Sequence, residues 1–195
     1  NTFLGRQAGL TTTSVTNAIA IGQAALGDAD TTAAATGTVA VGVQSLKNIT
    51  SGAGNVAVGY QTLDANATSD FNTAVGHTAL SGVNGDGSAG NTAVGYEVGL
   101  GVTSGTFNTF MGYRTGRTTS TGGWNTVMGG DAAYSHTRAS GSVILGYNAG
   151  SNITTGNRNV AIGYNTMNNA VTGDNNIALG TAAGDALTSG YNNIM

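Results

Sequence analysis

The chain has 195 residues, 33 of them glycine and none of them proline or cysteine, with six basic and nine acidic side chains. Charged residues make up 8 % of the chain, against roughly 25 % in ordinary soluble domains. Without cysteine there is neither a disulfide framework nor a thiolate metal site. Glycine does not recur at every third position, which excludes collagen, and a net charge of −3 excludes a charge-driven disordered chain.

The N-terminal NTFLGRQAGL lacks the layout of a signal peptide, and no apolar run reaches the roughly 18 residues of a membrane span. This segment is therefore not expected to insert into a membrane. Its scattered basic residues form no stripe for a phosphate backbone, so nucleic acid is not expected as a partner.

Taken in chain order, one glycine follows an aliphatic or methionine residue again and again, at Gly5, Gly22, Gly42, Gly59, Gly76, Gly95, Gly112, Gly129, Gly146, Gly163 and Gly180. The interval is 17 residues except for one of 20 and one of 19. Four residues before this marker stands asparagine at Asn1, Asn55, Asn72, Asn91, Asn108, Asn125, Asn159, Asn176 and Asn193. A second glycine lies seven before it at Gly52, Gly105, Gly122, Gly156, Gly173 and Gly190, usually after Thr or Ser.

A unit with one short β-branched apolar run between two glycines is too small for a helix pair and suits one coil of a β-solenoid. The expected fold is all-β: a parallel solenoid, or β-roll, of about twelve rungs, with strands ~4.8 Å apart and a length of roughly 55 Å. Residues 1–195 read as a single repeat array, a fragment of a longer fibrous chain. The extra residues fall in polar returns near Asp28–Thr36 and Val83–Ala89, where a loop can bulge without breaking the stack.

Alternate strand residues face opposite ways. The residue just before each marker glycine (Leu4, Ile21, Val41, Val58, Val75, Val94, Met111, Met128, Leu145, Ile162, Leu179) is expected to form the core. The column two before it, with Ala57, Ala74, Ala93, Phe110, Val127, Ile144, Ala161 and Ala178, is then expected to face outward and pack copies of the chain together.

Segments such as NAIAIG (Asn17–Gly22), NVAVG (Asn55–Gly59), NVAIG (Asn159–Gly163) and NIALG (Asn176–Gly180) resemble the head repeats of trimeric autotransporter adhesins. NTAVGYEVG (Asn91–Gly99) and SVILGYNAGSNITTGNRN (Ser142–Asn159) resemble the Gly/Asn/Thr repeats of phage tail fibres. That resemblance implies a left-handed roll, a homotrimer and an extracellular location on a cell surface or virion. The expected function is a structural and adhesive rod that presents a host-binding surface, with a host-surface glycan or receptor as a further partner. A self-assembling filament subunit is the alternative.

The residue after the marker glycine is aromatic at Tyr60, Tyr96, Tyr113, Tyr147 and Tyr164, with His77 in the same column. Flat rings with polar tips suit either sugar faces or an interface. One place on, Glu97, Arg114 and Asp131 occupy consecutive rungs and are expected to form a cross-strand charge ladder.

A glycosidase requires two carboxylates ~5–9.5 Å apart flanking a cleft. Glu97 and Asp131 suit the distance, but the arginine between them and the uniform coil argue for a structural ladder. No catalytic, cofactor-binding or metal-binding residue is therefore expected. His77 and His136 lie in different rungs without a carboxylate motif, and Asn84-Gly85-Asp86-Gly87 lacks the closing glutamate of a calcium loop. The recurring pairs Thr50-Ser51, Thr103-Ser104, Ser120-Thr121, Thr154-Thr155 and Thr188-Ser189 supply a third reading, an ice-binding surface. Their place beside a turn glycine favours bonding to local backbone instead.

Overall fold

The computed structural model describes residues 1–12, 14–27, 31–32, 35–84 and 89–195. Among them are eleven strands: β1 (Thr2–Leu4), β2 (Ile19–Ile21), β3 (Val39–Val41), β4 (Val56–Val58), β5 (Thr73–Val75), β6 (Thr92–Val94), β7 (Thr109–Met111), β8 (Thr126–Met128), β9 (Val143–Leu145), β10 (Val160–Ile162) and β11 (Ile177–Leu179). Each pairs in parallel with the next in one sheet whose order is the chain order. The molecule is a β-solenoid of about ten turns, and an isolated bridge between Ile177 and Ile194 begins a further rung.

The register carries each repeat position onto the same position of the next coil. The longer returns do not disturb it, since Ile19 pairs with Val39 and Thr73 with Thr92. Of those returns, Asp28–Asp30, Ala33, Ala34 and Gly85–Ser88 lie outside the described residues, and with them most of the Asn84–Gly87 sequence.

The two strand faces are the reverse of the expectation. Ala57, Ala74, Ala93, Phe110, Val127, Ile144, Ala161 and Ala178 are fully buried within the single chain, so this stripe is the core and not a contact between chains. The column expected as core faces outward: Val41, Val58, Val75 and Val94 are half-buried, and Met111, Met128 and Leu179 are exposed. The cause is volume. A 17-residue coil is so thin that its centre has little room opposite the far wall, so the alanine-rich column points in, and its larger members, such as Phe110 and Ile144, do so opposite glycine.

The far wall is the position six residues after the buried strand residue, and in most rungs the two sites trade volume. Ala20, Ala40, Ala57, Ala74 and Ala161 face Leu26, Leu46, Leu63, Leu80 and Met167, all fully buried. Where the strand residue is large, the partner is glycine: a methyl group at Gly116 would stand 2.5 Å from the Phe110 ring, at Gly9 2.8 Å from Phe3, and at Gly150 3.0 Å from Ile144. Ala93 and Ala178 face Gly99 and Gly184, where Leu80 and Phe110, and Met195 and Met167, fill the space from adjoining rungs. Interiors are close-packed, so such compensation is what a shared core demands.

Beside this core runs a buried ladder of asparagine side chains. The Asn72 Oδ1 accepts from the backbone N–H and the Nδ2 of Asn91, each at 3.0 Å, and Asn91 Nδ2 also donates to the Gly105 carbonyl at 2.8 Å. The pattern continues through Asn108 and Asn125 and resumes through Asn159, Asn176 and Asn193. Ser142 bridges the break: its N–H donates to Asn125 Oδ1 and its Oγ accepts from the Asn159 N–H. A buried amide left unpaired costs about 1–3 kcal/mol, and this geometry pairs both of its ends.

Four positions per coil hold positive φ, as at Gly54 (62°), Gly59 (140°), Gln61 (48°) and Leu63 (52°). Glycine is demanded most regularly at the marker, and also at the second glycine of the repeat, where a methyl at Gly122 would collide with the Ala139 carbonyl. At the marker a methyl would collide with the carbonyl oxygen of the next marker, as at Gly95 against Gly112. With so many left-handed residues and so many N–H groups donated to the next rung, proline, which fixes φ near −65° and donates nothing, has few tolerated places. Its absence from the sequence follows.

His136 is fully buried in the interior column that holds Val102, Thr119 and Ile153 in adjoining rungs, and neither of its ring nitrogens has a hydrogen-bond partner. Burial pushes its pKa down to about 4.

Two predictions follow from this packing. Ala57→Ile overfills the core and should cost about 1–3 kcal/mol by urea titration, adding Leu63→Gly should recover much of it, and Val58→Ile on the outer face should stay within about 0.5 kcal/mol. Because His136 binds its proton less readily folded than unfolded, stability should be full above about pH 6.5 and fall as the pH drops towards 4, by on the order of 3 kcal/mol. His136→Val should remove that part of the acid sensitivity in pH-dependent melts.

Candidate surface site

The marker glycine turns the chain out of the strand, and the residue after it projects from the corner of the coil. In-register stacking brings these side chains into a ladder: Tyr60 on His77 at 5.0 Å between ring centroids, His77 on Tyr96 at 5.3 Å and Tyr96 on Tyr113 at 5.3 Å, with interplanar angles of 10–22°. Tyr147 and Tyr164 stack at 5.6 Å further along. All five tyrosines are exposed, between 42 % and 55 %. The expected tyrosine column is thus a physical stack, broken once, at Gly130.

Next to it runs the polar column. Gln61 donates to Gln44 at 2.7 Å and Asn148 to Asn165 at 2.9 Å. Arg114 pairs with Asp131 at 2.8 Å, as the charge-ladder reading expected, but Glu97 does not join that ladder. It pairs instead with Arg117 at 2.9 Å, three residues further round the coil. Hydrogen bonding to Arg117 holds the Glu97 carboxyl below its usual range, so Glu97 is not set up to hold a proton at neutral pH.

Arg114 lies over the rings of both Tyr113 (5.1 Å) and Tyr134 (5.0 Å), and Arg117 donates to the Tyr134 hydroxyl at 3.1 Å. Beside these groups opens a cavity of about 220 Å³ lined by Arg114, Asp131, Tyr134, Tyr147, Asn148 and Ser151.

The sequence reading overlooked a second set of aromatics, Phe71, Phe107 and Trp124, each just before a ladder asparagine and each more than half exposed. Phe107 and Trp124 stack at 6.1 Å. Their signal was their place: an aromatic before a buried Asn has positive φ here and must point away from the core.

The hydroxyls of Thr50, Thr103 and Ser120 donate to carbonyls of the next rung at 2.9–3.2 Å. These hydroxyls do bond backbone, but across the rungs and not locally as expected for those pairs. Among the described residues no group of three His, Asp or Glu side chains comes together as a metal site, and no helix is long and apolar enough to cross a membrane.

No family model, no curated protein and no solved structure matches this chain.

Proposed function

We propose that the chain is a non-catalytic structural and adhesive rod in an extracellular homotrimeric fibre, and that its copies associate through the outer face of the sheet. The observation that carries this reading is the composition of that face. Both outward positions of every strand, from Thr2 and Leu4 to Ile177 and Leu179, are Thr, Val, Ile, Leu or Met, without one charge.

The ionic side chains lie in other columns, so nothing on this face selects a charged partner, and a second copy offers the same uncharged surface at the same repeat. Eleven strands at ~4.8 Å spacing give a face roughly 50 Å long and about 10 Å wide, which buries about 1,000 Å² when two copies meet. That meets the usual threshold for a specific interface. The aromatic residues before the strands, Phe71, Phe107 and Trp124, are of the kind enriched at such contacts. The motif resemblance to adhesin heads and tail fibres supports the trimer, the extracellular setting and the host-binding role. The regular stack supports a stiff rod on which exposed groups are held at fixed positions.

Light scattering over a concentration series tests the proposal. A stable mass near three times 19.2 kDa is expected. The double variant Thr92→Lys/Val94→Lys, which places charges only on the outer face, should give a folded monomer by circular dichroism. A wild-type chain that is monomeric at every concentration, or a charged variant whose mass does not change, overturns it.

A further inference from the structure

Between Tyr60 and Tyr164 the column that follows the marker glycine carries a ring on every rung but one, where Gly130 stands. The rings on either side, Tyr113 and Tyr147, are two rungs apart, about 10 Å. Ring centroids elsewhere in the ladder are 5.0–5.6 Å apart, and across this gap the Arg114 guanidinium, 5.1 Å from the Tyr113 ring centroid, covers the Tyr113 side and leaves the Tyr147 ring without a neighbour from the Gly130 rung. A side chain begun at Gly130 would meet only the Tyr147 ring within 4 Å.

From these observations we infer that the cavity beside Gly130, against the Tyr147 ring that a side chain there would cover, binds one ring of a neutral sugar chain. This rests on the adhesive reading above and gives it a site and a ligand class.

The chemistry of the lining selects that class. The cavity, about 220 Å³, is below the ~300 Å³ at which pockets for drug-sized ligands begin, which suits a single ring. Tyr147 offers an aromatic surface for the apolar C–H face of a pyranose, while the Tyr134 ring is engaged by Arg114 and Arg117. Around them stand a carboxylate, an amide and a hydroxyl. Arg114 engages Asp131 through Oδ1, and a carboxylate bound at one oxygen accepts at the other. Asn148 gives one N–H to Asn165 and keeps its carbonyl oxygen and second N–H.

Donors and acceptors lying side by side on one wall are what vicinal hydroxyls need. An anion would meet the Asp131 carboxylate and a cation the Arg114 guanidinium. A purely apolar ligand would strand both of them with the Asn148 amide, at a cost of about 1–3 kcal/mol for each unpaired group. A neutral polyhydroxylated ring incurs none of these penalties.

The pocket is also pre-organised. Arg114 is fixed by Asp131 and by two rings, and Tyr134 is held by Arg117, itself paired with Glu97. Little side-chain freedom remains to be lost on binding.

The test is isothermal titration of the full chain with maltohexaose, cellohexaose, chitohexaose and mannohexaose, with sialyllactose as an anionic comparison. At least one neutral hexasaccharide should bind with a Kd of millimolar or tighter, and more tightly than sialyllactose. Gly130→Tyr, which restores the missing ring with the residue type used on neighbouring rungs, should weaken that binding at least tenfold while leaving the melting temperature and the solution mass unchanged. Asp131→Asn should also weaken it.

Absence of heat with all four neutral sugars at millimolar concentration, or full binding by Gly130→Tyr, overturns the inference. The two proposals fail separately. Loss of sugar binding with a trimeric mass removes only the site, and a monomer whose sugar binding is abolished by Gly130→Tyr removes only the trimeric fibre.

Discussion

Hydrogen bonding along the rod, from each coil to the next, is the interaction on which the rest of the structure depends. A strand of three residues makes too few bonds to persist alone, and a 17-residue coil has almost no interior. Stacking in register turns both deficits into a repeat: the short strands become one sheet, the turns donate their N–H groups to carbonyls of the adjoining coil, and the buried asparagines carry the same bonding through their side chains. Left-handed residues such as Leu46, Leu63 and Leu80, each unfavourable by about 1–2 kcal/mol in an isolated chain, are held because both neighbouring coils have the same shape.

The same requirement sets the core. Coils that stack at a constant spacing must have a constant cross-section, so a larger side chain on one wall has to be met by a smaller one on the other. Phe110 with Gly116, Ile144 with Gly150 and Ala57 with Leu63 are three solutions to that one condition. It is also why insertions are confined to returns that leave the strand register intact, as between β2 and β3.

The period, the parallel stack and the alignment of the tyrosines in one column were legible in the sequence, because each depends only on equivalent residues recurring at equal intervals. The inward and outward faces were not. Both strand columns are apolar, and bulk alone suggested the wrong one. The deciding signal was a correlation rather than a composition: the residue six after the inner position shrinks when that position grows, as from Ala57 and Leu63 to Phe110 and Gly116, and the outer column shows no such partner. Glu97 was assigned to Arg114 on column spacing, but it reaches Arg117, which stands in a different column of the coil. The cavity at Gly130 depends on one missing ring, and it has meaning only once the rings around it are known to stack.

The rod thus divides its chemistry by direction, with amides and small apolar groups inside, an uncharged sheet face outside, and aromatic and ionic side chains along the remaining columns. Everything outside depends on the interior stack being fixed, and its most direct probe is hydrogen exchange of the asparagine side-chain amides followed by NMR in deuterated buffer. The account predicts that the Nδ2 protons of Asn72, Asn91, Asn108, Asn125 and Asn159 persist on the timescale of the most protected backbone amides, while those of the exposed Asn17 and Asn192 vanish at once. Equal and rapid loss from both sets would mean that no buried asparagine ladder exists, and the stacked coil built on it would be wrong.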